Sequence, residues 1–487
     1  MTPLLRSLSH YEKNNAFCIG GKFYTYLDLA MCISKIREKL SDVSDSHIGL
    51  VANDDLDTYA SIFALWIEGK CYVPLHPEQP IDRCLDIISQ VEITVILDSS
   101  YETRYNEQSV IMTSQLRFER MALNNPHNCP DEELAYILFT SGSTGRPKGV
   151  PISRGNLAAF VDAFYNLGYT LDGHDRCLQM FDLTFDLSVQ SYLLPILNGA
   201  CVYTVPSTTI KYQTVFQLLD DYHLTFTLMV PSVIHYLRPY MDEIQADEMR
   251  YSLFAGEALN IDDTEAWSHC IPNAEIWNVY GPTECTIYCT AYQYRRNGDN
   301  KQANGVIGIG QAMKGVKTVI TDDKGNISSA GSKGELCLQS RQLTSGYWHN
   351  EEKNKAALFS LNGERYYKTG DVCSIDADGD ILYYGRKDSQ IKIQGYRIEL
   401  SEIECVARKF YDERHAVVAL PIYENTGTCS IHLVVEDIKK DESERMIEHL
   451  KKYLPAYMIP SKIHYMEQFP QNSNNKIDRR KISELIK

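Results

Sequence analysis

The segment FTSGSTGRPKG, residues 139–149, is the part of the sequence whose residue types most directly indicate chemistry. It contains three glycines, four hydroxyl side chains, an arginine and a lysine. Hydroxyl groups, backbone N–H groups made accessible by glycine and a lysine charge together suit a polyphosphate. The segment has neither the Gly-Lys-Ser/Thr ending of a Walker A loop nor the G-x-G-x-x-G pattern of dinucleotide-binding folds. A flexible surface turn is the alternative interpretation.

The apolar stretch LAYILF directly precedes this loop and is predicted to be a buried strand. Ligands of open α/β sheets bind beyond the carboxyl ends of the strands, so this strand would place the loop at a ligand-binding edge. The candidate phosphate contacts of the loop are Thr140, Ser141, Gly142, Ser143, Thr144, Gly145 and Lys148.

Helix-like and strand-like segments alternate from about residue 27 to about residue 300, which predicts βα units and a parallel sheet covered by helices. Beyond Gly305, short β segments separated by Asp-Gly and Gly-Asn turns predict hairpins. The last hundred residues have the pattern of a small α+β unit. We therefore predict a large domain over residues 1–387 and a small domain over residues 388–487, with the boundary near Asp388.

Composition limits the class of protein. The chain has 487 residues, 44% hydrophobic and 23% charged, which are ordinary values for a globular protein with more than one domain. Its formal charge of −16 argues against nonspecific nucleic-acid binding. Fourteen cysteines occur without a CxxC pair, so we expect reduced thiols rather than a cysteine metal site. No apolar run is long enough to span a bilayer and no signal-peptide pattern begins the chain, so we expect a cytoplasmic protein without a membrane partner.

Ten short motifs occur along the chain in a defined order. They are FYTYLDLA at 23–30, YVPLHPEQP at 72–80, FTSGSTGRPKGV at 139–150, FDLS at 185–188, NVYGPTE at 278–284, IGIGQ at 307–311, GELCL at 334–338, YKTGD at 367–371, GRKDSQIKIQGYRIEL at 385–400 and NNKIDRR at 474–480. In this order the motifs resemble those of the adenylate-forming (ANL) superfamily, and within it the amino-acid adenylation enzymes of nonribosomal peptide synthesis. The resemblance covers nearly the whole chain.

The resemblance implies a fold and a reaction. The fold is a large N-terminal α/β domain with parallel-rich sheets and a β-rich subdomain, followed by a small mobile α+β domain that turns about Asp388. The reaction has two halves: a carboxylate attacks the α-phosphorus of ATP to give an acyl-adenylate and pyrophosphate, and a thiol then takes the acyl group. Charge that grows in such a transition state needs fixed cations and donors. The resemblance assigns Lys476 as the catalytic cation; without it, a solvated surface lysine is the alternative.

The resemblance also implies the nucleotide contacts. Tyr280 would lie against the adenine, Thr283 would bond a phosphate oxygen and Glu284 would hold Mg²⁺. Asp371 would accept both ribose hydroxyls with help from Arg386, and the alternative for Asp371 is a turn residue before a hairpin. With the loop residues above, the implied nucleotide-binding set is Gly256, Asn278, Val279, Tyr280, Gly281, Pro282, Thr283, Asp371, Tyr383, Arg386 and Lys476.

Carried over position by position, the substrate pocket is Asp186, Leu187, Gln190, Leu228, Leu253, Ala255, Val279, Ile287 and Tyr288. A buried aspartate is costly without a partner, so Asp186 indicates that an ammonium group binds there. The alternative is an N-cap for a helix that begins at Leu187. The other positions carry no charge, which disfavours charged side chains on the substrate.

We predict a small amino acid as substrate. L-Proline is the first choice, because the pocket residues are most similar to those of proline-selective enzymes. D-Alanine is the alternative, because the motif YMIP at 457–460 resembles D-alanine carrier-protein ligases. No phosphopantetheine carrier segment follows Lys476, so the thiol partner would be a separate carrier protein. Two other hypotheses remain: an acyl or aryl coenzyme A ligase, and an inactive nucleotide-binding scaffold.

Overall fold

A computed structural model describes residues 2–142, 146–388, 390–411, 415–423, 429–437, 442–471 and 477–486. They form two compact units. The first comprises Met1–Pro77, Ile88–Leu138 and Gly149–Lys387, and the second comprises Glu78–Ile87, Phe139–Lys148 and Asp388–Lys487. Asp388 therefore begins the C-terminal segment of the second unit, while its role as a hinge stays a prediction.

The described residues contain helices and strands along their whole length. The helices are α1 Thr2–His10, α2 Tyr26–Leu40, α3 Leu56–Ile67, α4 Ile81–Val91, α5 Arg154–Asn166, α6 Asp186–Leu197, α7 Lys211–Tyr222, α8 Pro231–Leu237, α9 Ile261–Cys270, α10 Glu351–Ala357, α11 Leu400–Phe410, α12 Ser443–Tyr453 and α13 Arg479–Leu485. The strands are β1 Asn15–Ile19, β2 Lys22–Thr25, β3 His47–Val51, β4 Cys71–Leu75, β5 Val95–Asp98, β6 Ser109–Met112, β7 Leu134–Thr140, β8 Lys148–Ser153, β9 Arg176–Gln179, β10 Cys201–Thr204, β11 Phe226–Met229, β12 Tyr251–Phe254, β13 Glu275–Tyr280, β14 Thr290–Gln293, β15 Gln302–Ala303, β16 Val306–Ile307, β17 Gln311–Ala312, β18 Val316–Thr321, β19 Gly334–Ser340, β20 Leu358–Leu361, β21 Glu364–Ile375, β22 Ile381–Arg386, β23 Gln390–Ile393, β24 Tyr396–Glu399, β25 Val417–Tyr423, β26 Cys429–Glu436 and β27 Lys462–Met466.

Two parallel-rich sheets dominate the first unit. The larger has nine strands in the order β17-β14-β13-β12-β11-β9-β10-β1-β2, and the strands from β13 to β1 are parallel. The other has the order β6-β5-β3-β4-β7-β8, parallel from β6 to β7. Their central strands are short apolar runs buried on both faces, as expected for sheets covered by helices. Local signals also fix helix starts: Thr25 and Asp28 form a reciprocal capping box at the start of α2.

An antiparallel sheet in the order β18-β19-β21-β20, with β22 paired to β21, makes up the β-rich part of the first unit. In the second unit, β25, β26 and β27 form one sheet, and α11 and α12 share a hydrophobic core with it. Parallel-rich α/β sheets, a β-rich sheet and a small α+β region confirm the predicted fold class.

One hydrophobic core of the first unit contains side chains from strands of both parallel-rich sheets, including Tyr72 on β4 and Leu228 on β11. Helix α6, which is buried at every residue except its last, contributes to the same core. This packing places the start of α6 close to residues of β4 and β7, although these elements are far apart in sequence. None of the described helices combines the length and apolar character needed to cross a membrane.

Candidate functional site

The predicted phosphate loop belongs to the second unit and is held there by polar contacts. Ser141 is buried, and its Oγ donates to the carbonyl of Arg397 at 2.8 Å and accepts from the N–H of Glu399 at 3.2 Å. The N–H of Gly142 donates to Oε2 of Glu402 at 3.1 Å. The N–H that the sequence assigned to a phosphate oxygen is therefore bonded to a carboxylate oxygen here.

Glu402 itself is an acid that the sequence analysis did not single out. It is fully buried on α11, and its Oε1 accepts from Nη1 of Arg83 at 2.6 Å. Both side chains are less than a tenth exposed, so each charge depends on the other for compensation. Sequence alone gives no signal for this pair, because its partners are 319 residues apart.

Two further loop residues that the structure describes lie at the ends of strands. Thr140 is the last residue of β7, and its Oγ1 is buried without a hydrogen-bond partner among the described residues. Lys148 is the first residue of β8. Four predicted site residues lie outside the residues that the structure describes: Ser143, Thr144, Gly145 and Lys476.

Asp371, the predicted ribose acid, lies inside β21 and is almost fully buried. Its neighbour on β22 is Arg386, whose Nη1 donates to Asp371 Oδ1 at 2.8 Å. The hydroxyl of Tyr280 donates to Oδ2 at 2.5 Å. The alternative interpretation of Asp371 as a turn residue is wrong, because the turn of this hairpin lies further on, between β21 and β22.

Tyr280 ends β13, and its hydroxyl faces Asp371 in the same unit. Burial raises the pKa of Tyr280 well above its usual range, and the nearby carboxylate of Asp371 raises it further. The phenol therefore stays protonated and acts as a donor to the carboxylate. The contact of Tyr280 with adenine stays a prediction.

The predicted residues from the ends of β11, β12 and β13 lie side by side because these strands are parallel neighbours. Leu228 pairs in register with Leu253, and Phe254 pairs with Asn278. The amide of Asn278 is buried and donates to the carbonyls of Ile307 and Gly308, at 3.2 and 3.0 Å. These two hydrogen bonds connect β13 to the segment of Ile307 and Gly308. Ala255 and Gly256 follow β12, and Tyr383 lies on β22.

The segment after β13 is tightly packed. A Cβ on Gly281 would lie 2.3 Å from the Cα of Tyr288, so only glycine fits. Pro282 precedes a short 3₁₀ turn that contains Thr283 and Glu284. Glu284 is fully buried, and its Oε1 accepts from the hydroxyl of Tyr347 at 2.7 Å. Tyr347 is a partner that the sequence analysis missed.

Two β-branched residues in the same segment have left-handed backbones, Thr286 with φ of 50° and Ile287 with φ of 72°. Such conformations are strained and persist only where surrounding contacts impose them. The side-chain amide of buried Gln342 supplies such contacts. Its Nε2 lies 3.3, 3.4 and 2.9 Å from the carbonyl oxygens of Cys285, Thr286 and Tyr288.

Asp186 is the first residue of α6 and is buried. The N-cap is Phe185, which makes no side-chain capping bond, so the alternative interpretation of Asp186 as the N-cap is wrong. Burial raises the pKa of Tyr136 well above its usual range, and the charge of Asp186 raises it further. The charge of Asp186 acts in the same direction on Tyr72, so two neutral phenols lie near this acid.

The other predicted pocket residues are buried: Leu187, Gln190, Leu228, Leu253, Ala255, Val279, Ile287 and Tyr288. Two of these residues, Gln190 and Tyr288, have polar side-chain atoms among apolar neighbours. Both amide atoms of Gln190 and the hydroxyl of Tyr288 have no hydrogen-bond partner within the described ranges. An acid, an amide and a phenol in an apolar interior suit a small ligand with a few polar groups.

Comparisons with known proteins agree on one family. The sequence model described as "AMP-binding enzyme" matches residues 5–348. The D-alanine–D-alanyl carrier protein ligase of Staphylococcus epidermidis is 30% identical over 503 residues, which cover 100% of both chains. Bacitracin synthase 2 of Bacillus licheniformis is 30% identical over 445 residues, 90% of this chain. This chain spans only 17% of that protein.

Among solved structures, the adenylation domain AlmE of Vibrio cholerae in complex with glycyl-adenosine-5'-phosphate has a TM-score of 0.89 and 24% identity. The similarity covers 100% of this chain and 97% of that chain. At this identity the match supports the fold alone.

Proposed function

Because the chain belongs to the AMP-binding enzyme family, we propose that it is an AMP-forming ligase that activates a small amino acid with ATP and transfers it to a separate carrier protein. D-Alanine is the proposed amino acid. The match over the full length of a D-alanine–D-alanyl carrier protein ligase favours this alternative over proline, our first expectation. The carrier's phosphopantetheine would supply the thiol.

The observation that carries this proposal is the buried carboxylate of Asp186 at the start of α6. A cationic ligand compensates a buried carboxylate better than neutral phenols do, and an α-amino acid brings an ammonium. Leu228, Leu253 and Val279 are buried in the same core and carry no charge, which suits a small aliphatic side chain. A carboxylic acid without an amino group would bring no positive charge to Asp186.

Asp371 is the proposed ribose acceptor. Each of its oxygens already accepts one hydrogen bond, from Tyr280 and from Arg386, and each carboxylate oxygen has a further acceptor site for a ribose hydroxyl. Both partners are therefore positioning residues for this carboxylate. The arrangement orients the acceptor before the nucleotide arrives, which limits the cost of ordering on binding.

Glu284 is the proposed Mg²⁺ ligand, and its setting fits that role. A buried carboxylate that receives a phenol hydrogen bond is a hard oxygen ligand, and Mg²⁺ commonly takes one or two carboxylates together with substrate phosphates and waters. When bound, Mg²⁺ would neutralise charge on the polyphosphate. Lys476 would supply a second positive charge near the α-phosphate.

The proposed reaction has two steps. An oxygen of the amino-acid carboxylate bonds to the α-phosphorus of ATP, and pyrophosphate leaves. The carrier thiol then gives up its proton to solvent, its sulfur bonds to the acyl carbon, and AMP leaves with the electron pair of the broken acyl C–O bond of the mixed anhydride.

Amino-acid-dependent exchange of pyrophosphate into ATP tests the first step. We expect the strongest exchange with D-alanine in a panel that also contains L-alanine, glycine and L-proline. Asp186→Asn should reduce exchange by at least about 30-fold, because a buried charge pair is worth about 2–5 kcal/mol when one partner is removed. Asp162→Asn, a change in an exposed acid on α5, is the matched control and should leave exchange unaltered.

Each alternative gives a distinct result. Strongest exchange with L-proline would replace D-alanine as the substrate. Turnover of an acid without an amino group, undiminished in Asp186→Ala, would indicate a coenzyme A ligase. Absence of exchange with every substrate, from protein that binds ATP, would indicate a scaffold.

A further inference from the structure

Three side chains of the first unit lie close together and carry different metal-binding atoms. They belong to a segment that has no role in the proposed function. His127, Cys129 and Glu133 each offer one ligand atom, and these atoms all lie within 4.8 Å of one another. Nε2 of His127 lies 3.5 Å from Oε1 of Glu133. The three residues are spaced H-x-C-x-x-x-E in the segment that leads into β7.

The backbone around this cluster is fixed on both sides. The N–H of His127 donates to the carbonyl of Ile67 at 2.8 Å, at the end of α3. The imidazole packs so closely on Gly69 that a Cβ there would lie 2.2 Å from the ring. The carbonyl of Glu133 accepts from the N–H of Arg154 at 2.8 Å. The ligand atoms are thus held close together before any ion binds, which lowers the ordering cost of binding.

One carboxylate oxygen of the cluster has an unused acceptor site. Oε2 of Glu133 is buried and has no hydrogen-bond partner in the part of the chain that the structure describes. The thiol of Cys129 donates to the carbonyl of His127 at 3.5 Å. The Glu133 side chain as a whole is 34% exposed, and a cation would bind its buried Oε2 oxygen.

Neighbouring groups shift the pKa of the Cys129 thiol in opposite directions. Burial raises the pKa of the Cys129 thiol, the charge of Arg154 lowers it, and a hydrogen bond to Glu133 together with the charge of Glu133 raises it further. A bound divalent cation would share the charges of thiolate and carboxylate, and the thiol proton would be released to solvent. Arg154 is not one of the proposed metal ligands. Its Nη2 donates a hydrogen bond to the carbonyl of Lys70 at 3.2 Å.

We propose that His127, Cys129 and Glu133 form a zinc site. Imidazole nitrogen, thiolate sulfur and carboxylate oxygen are the three ligand types that Zn²⁺ accepts, and the mixture disfavours Mg²⁺ and Ca²⁺, which prefer oxygen alone. Tetrahedral zinc holds its ligands about 3.3–3.8 Å apart, so the ligand atoms need only small side-chain rotations. Water completes the coordination. The ion would hold together the segment from His127 to Glu133 that leads into β7.

Cobalt replacement tests the site without an activity assay. The full chain, first stripped with a chelator, is titrated with Co²⁺ and followed by absorption. We expect one equivalent to produce thiolate-to-cobalt charge transfer and the intense visible bands of four-coordinate cobalt, and Zn²⁺ should displace both. Cys129→Ser should abolish the charge-transfer band, and His127→Ala should weaken Zn²⁺ binding by more than about 100-fold.

Cys32→Ser is the matched control, because Cys32 is a partly buried thiol on α2 outside the cluster, and it should keep the full cobalt spectrum. Zinc should also raise the melting temperature of the wild type and not that of Cys129→Ser, since binding to the folded state stabilises it. The proposal is overturned if wild-type protein shows no charge-transfer band, or if the band survives in Cys129→Ser that folds with the wild-type circular dichroism spectrum.

Discussion

The side-chain amide of Gln342 donates to the backbone carbonyl of Thr286, a β-branched residue held at a left-handed φ of 50°. The bond is reciprocated, because the hydroxyl of Thr286 donates to the carbonyl of Gln342 at 2.5 Å. The clamp fixes a strained segment whose next two residues, Ile287 and Tyr288, belong to the proposed amino-acid pocket. The residues that follow β19 thus support this segment through one buried amide.

Gln342→Ala should loosen this segment. It removes a donor shared among three carbonyls in strained surroundings, so we expect a loss of about 2–4 kcal/mol in the free energy of unfolding. KM for the amino acid should rise more than KM for ATP, because Ile287 and Tyr288 shift. Urea denaturation and exchange kinetics measure the two effects. Gln339→Ala, on the neighbouring strand β19, should change neither; equal effects of the two variants would contradict the role of the clamp.

Asp371→Asn tests the proposed ribose site. The amide cannot pair with the charge of Arg386 and offers only one acceptor oxygen, so KM for ATP should rise by about tenfold or more, corresponding to about 1.5–3 kcal/mol. KM for the amino acid should change little. The matched control is Asp378→Asn in an exposed turn of the same sheet. An unaltered KM for ATP in Asp371→Asn would remove this residue from the nucleotide site.

Glu402→Gln tests the buried ion pair of the second unit. Removal of one charge leaves Arg83 uncompensated, and we expect a loss of about 3–5 kcal/mol in stability, seen as a lower denaturation midpoint. Glu484→Gln breaks an exposed i,i+4 pair with Arg480 and should cost less than about 0.5 kcal/mol. If the two variants had the same midpoint, the buried pair would not be stabilising the unit.

Asp54 gives the protein a defined pH dependence. Burial raises the pKa of Asp54 to about 6, although the hydroxyls of Tyr59 and Thr204 act in the opposite direction. The folded state therefore holds this proton up to about pH 6, whereas the unfolded chain loses it near its ordinary pKa of 3.8. The stabilisation that this group contributes is complete at low pH and falls by about 3 kcal/mol as pH rises through that window.

Asp54→Asn should remove this component of the pH dependence. The difference in unfolding free energy between wild type and variant is measured from pH 4 to pH 7, the window set by the two values above. We expect the difference to change in favour of the variant as pH rises. A constant difference across the window would show that Asp54 does not retain its proton in the folded state.

Local pattern was sufficient to predict much of the architecture. The alternation of helix-like and strand-like segments predicted the parallel sheets and their helices, and the Asp-Gly and Gly-Asn turns predicted antiparallel strands beyond Gly305, because both signals are set by near neighbours. The order of motifs was also sufficient to identify the family. The assignment of the amino acid was less successful, since pocket types carried over by position favoured proline while the full-length relative favours D-alanine.

By itself the sequence determined the fold class, the family and the types of most candidate site residues, because periodicity, turns and ordered motifs are properties of neighbours along the chain. Only the tertiary structure decided that Asp371 lies in a strand bonded to Tyr280, that Gln342 holds the segment of Thr286, and that Glu402 pairs with Arg83. These partners are 91, 56 and 319 residues apart. Hydrogen bonds and ion pairs act over a few ångströms, so such contacts exist only once packing has brought distant segments together.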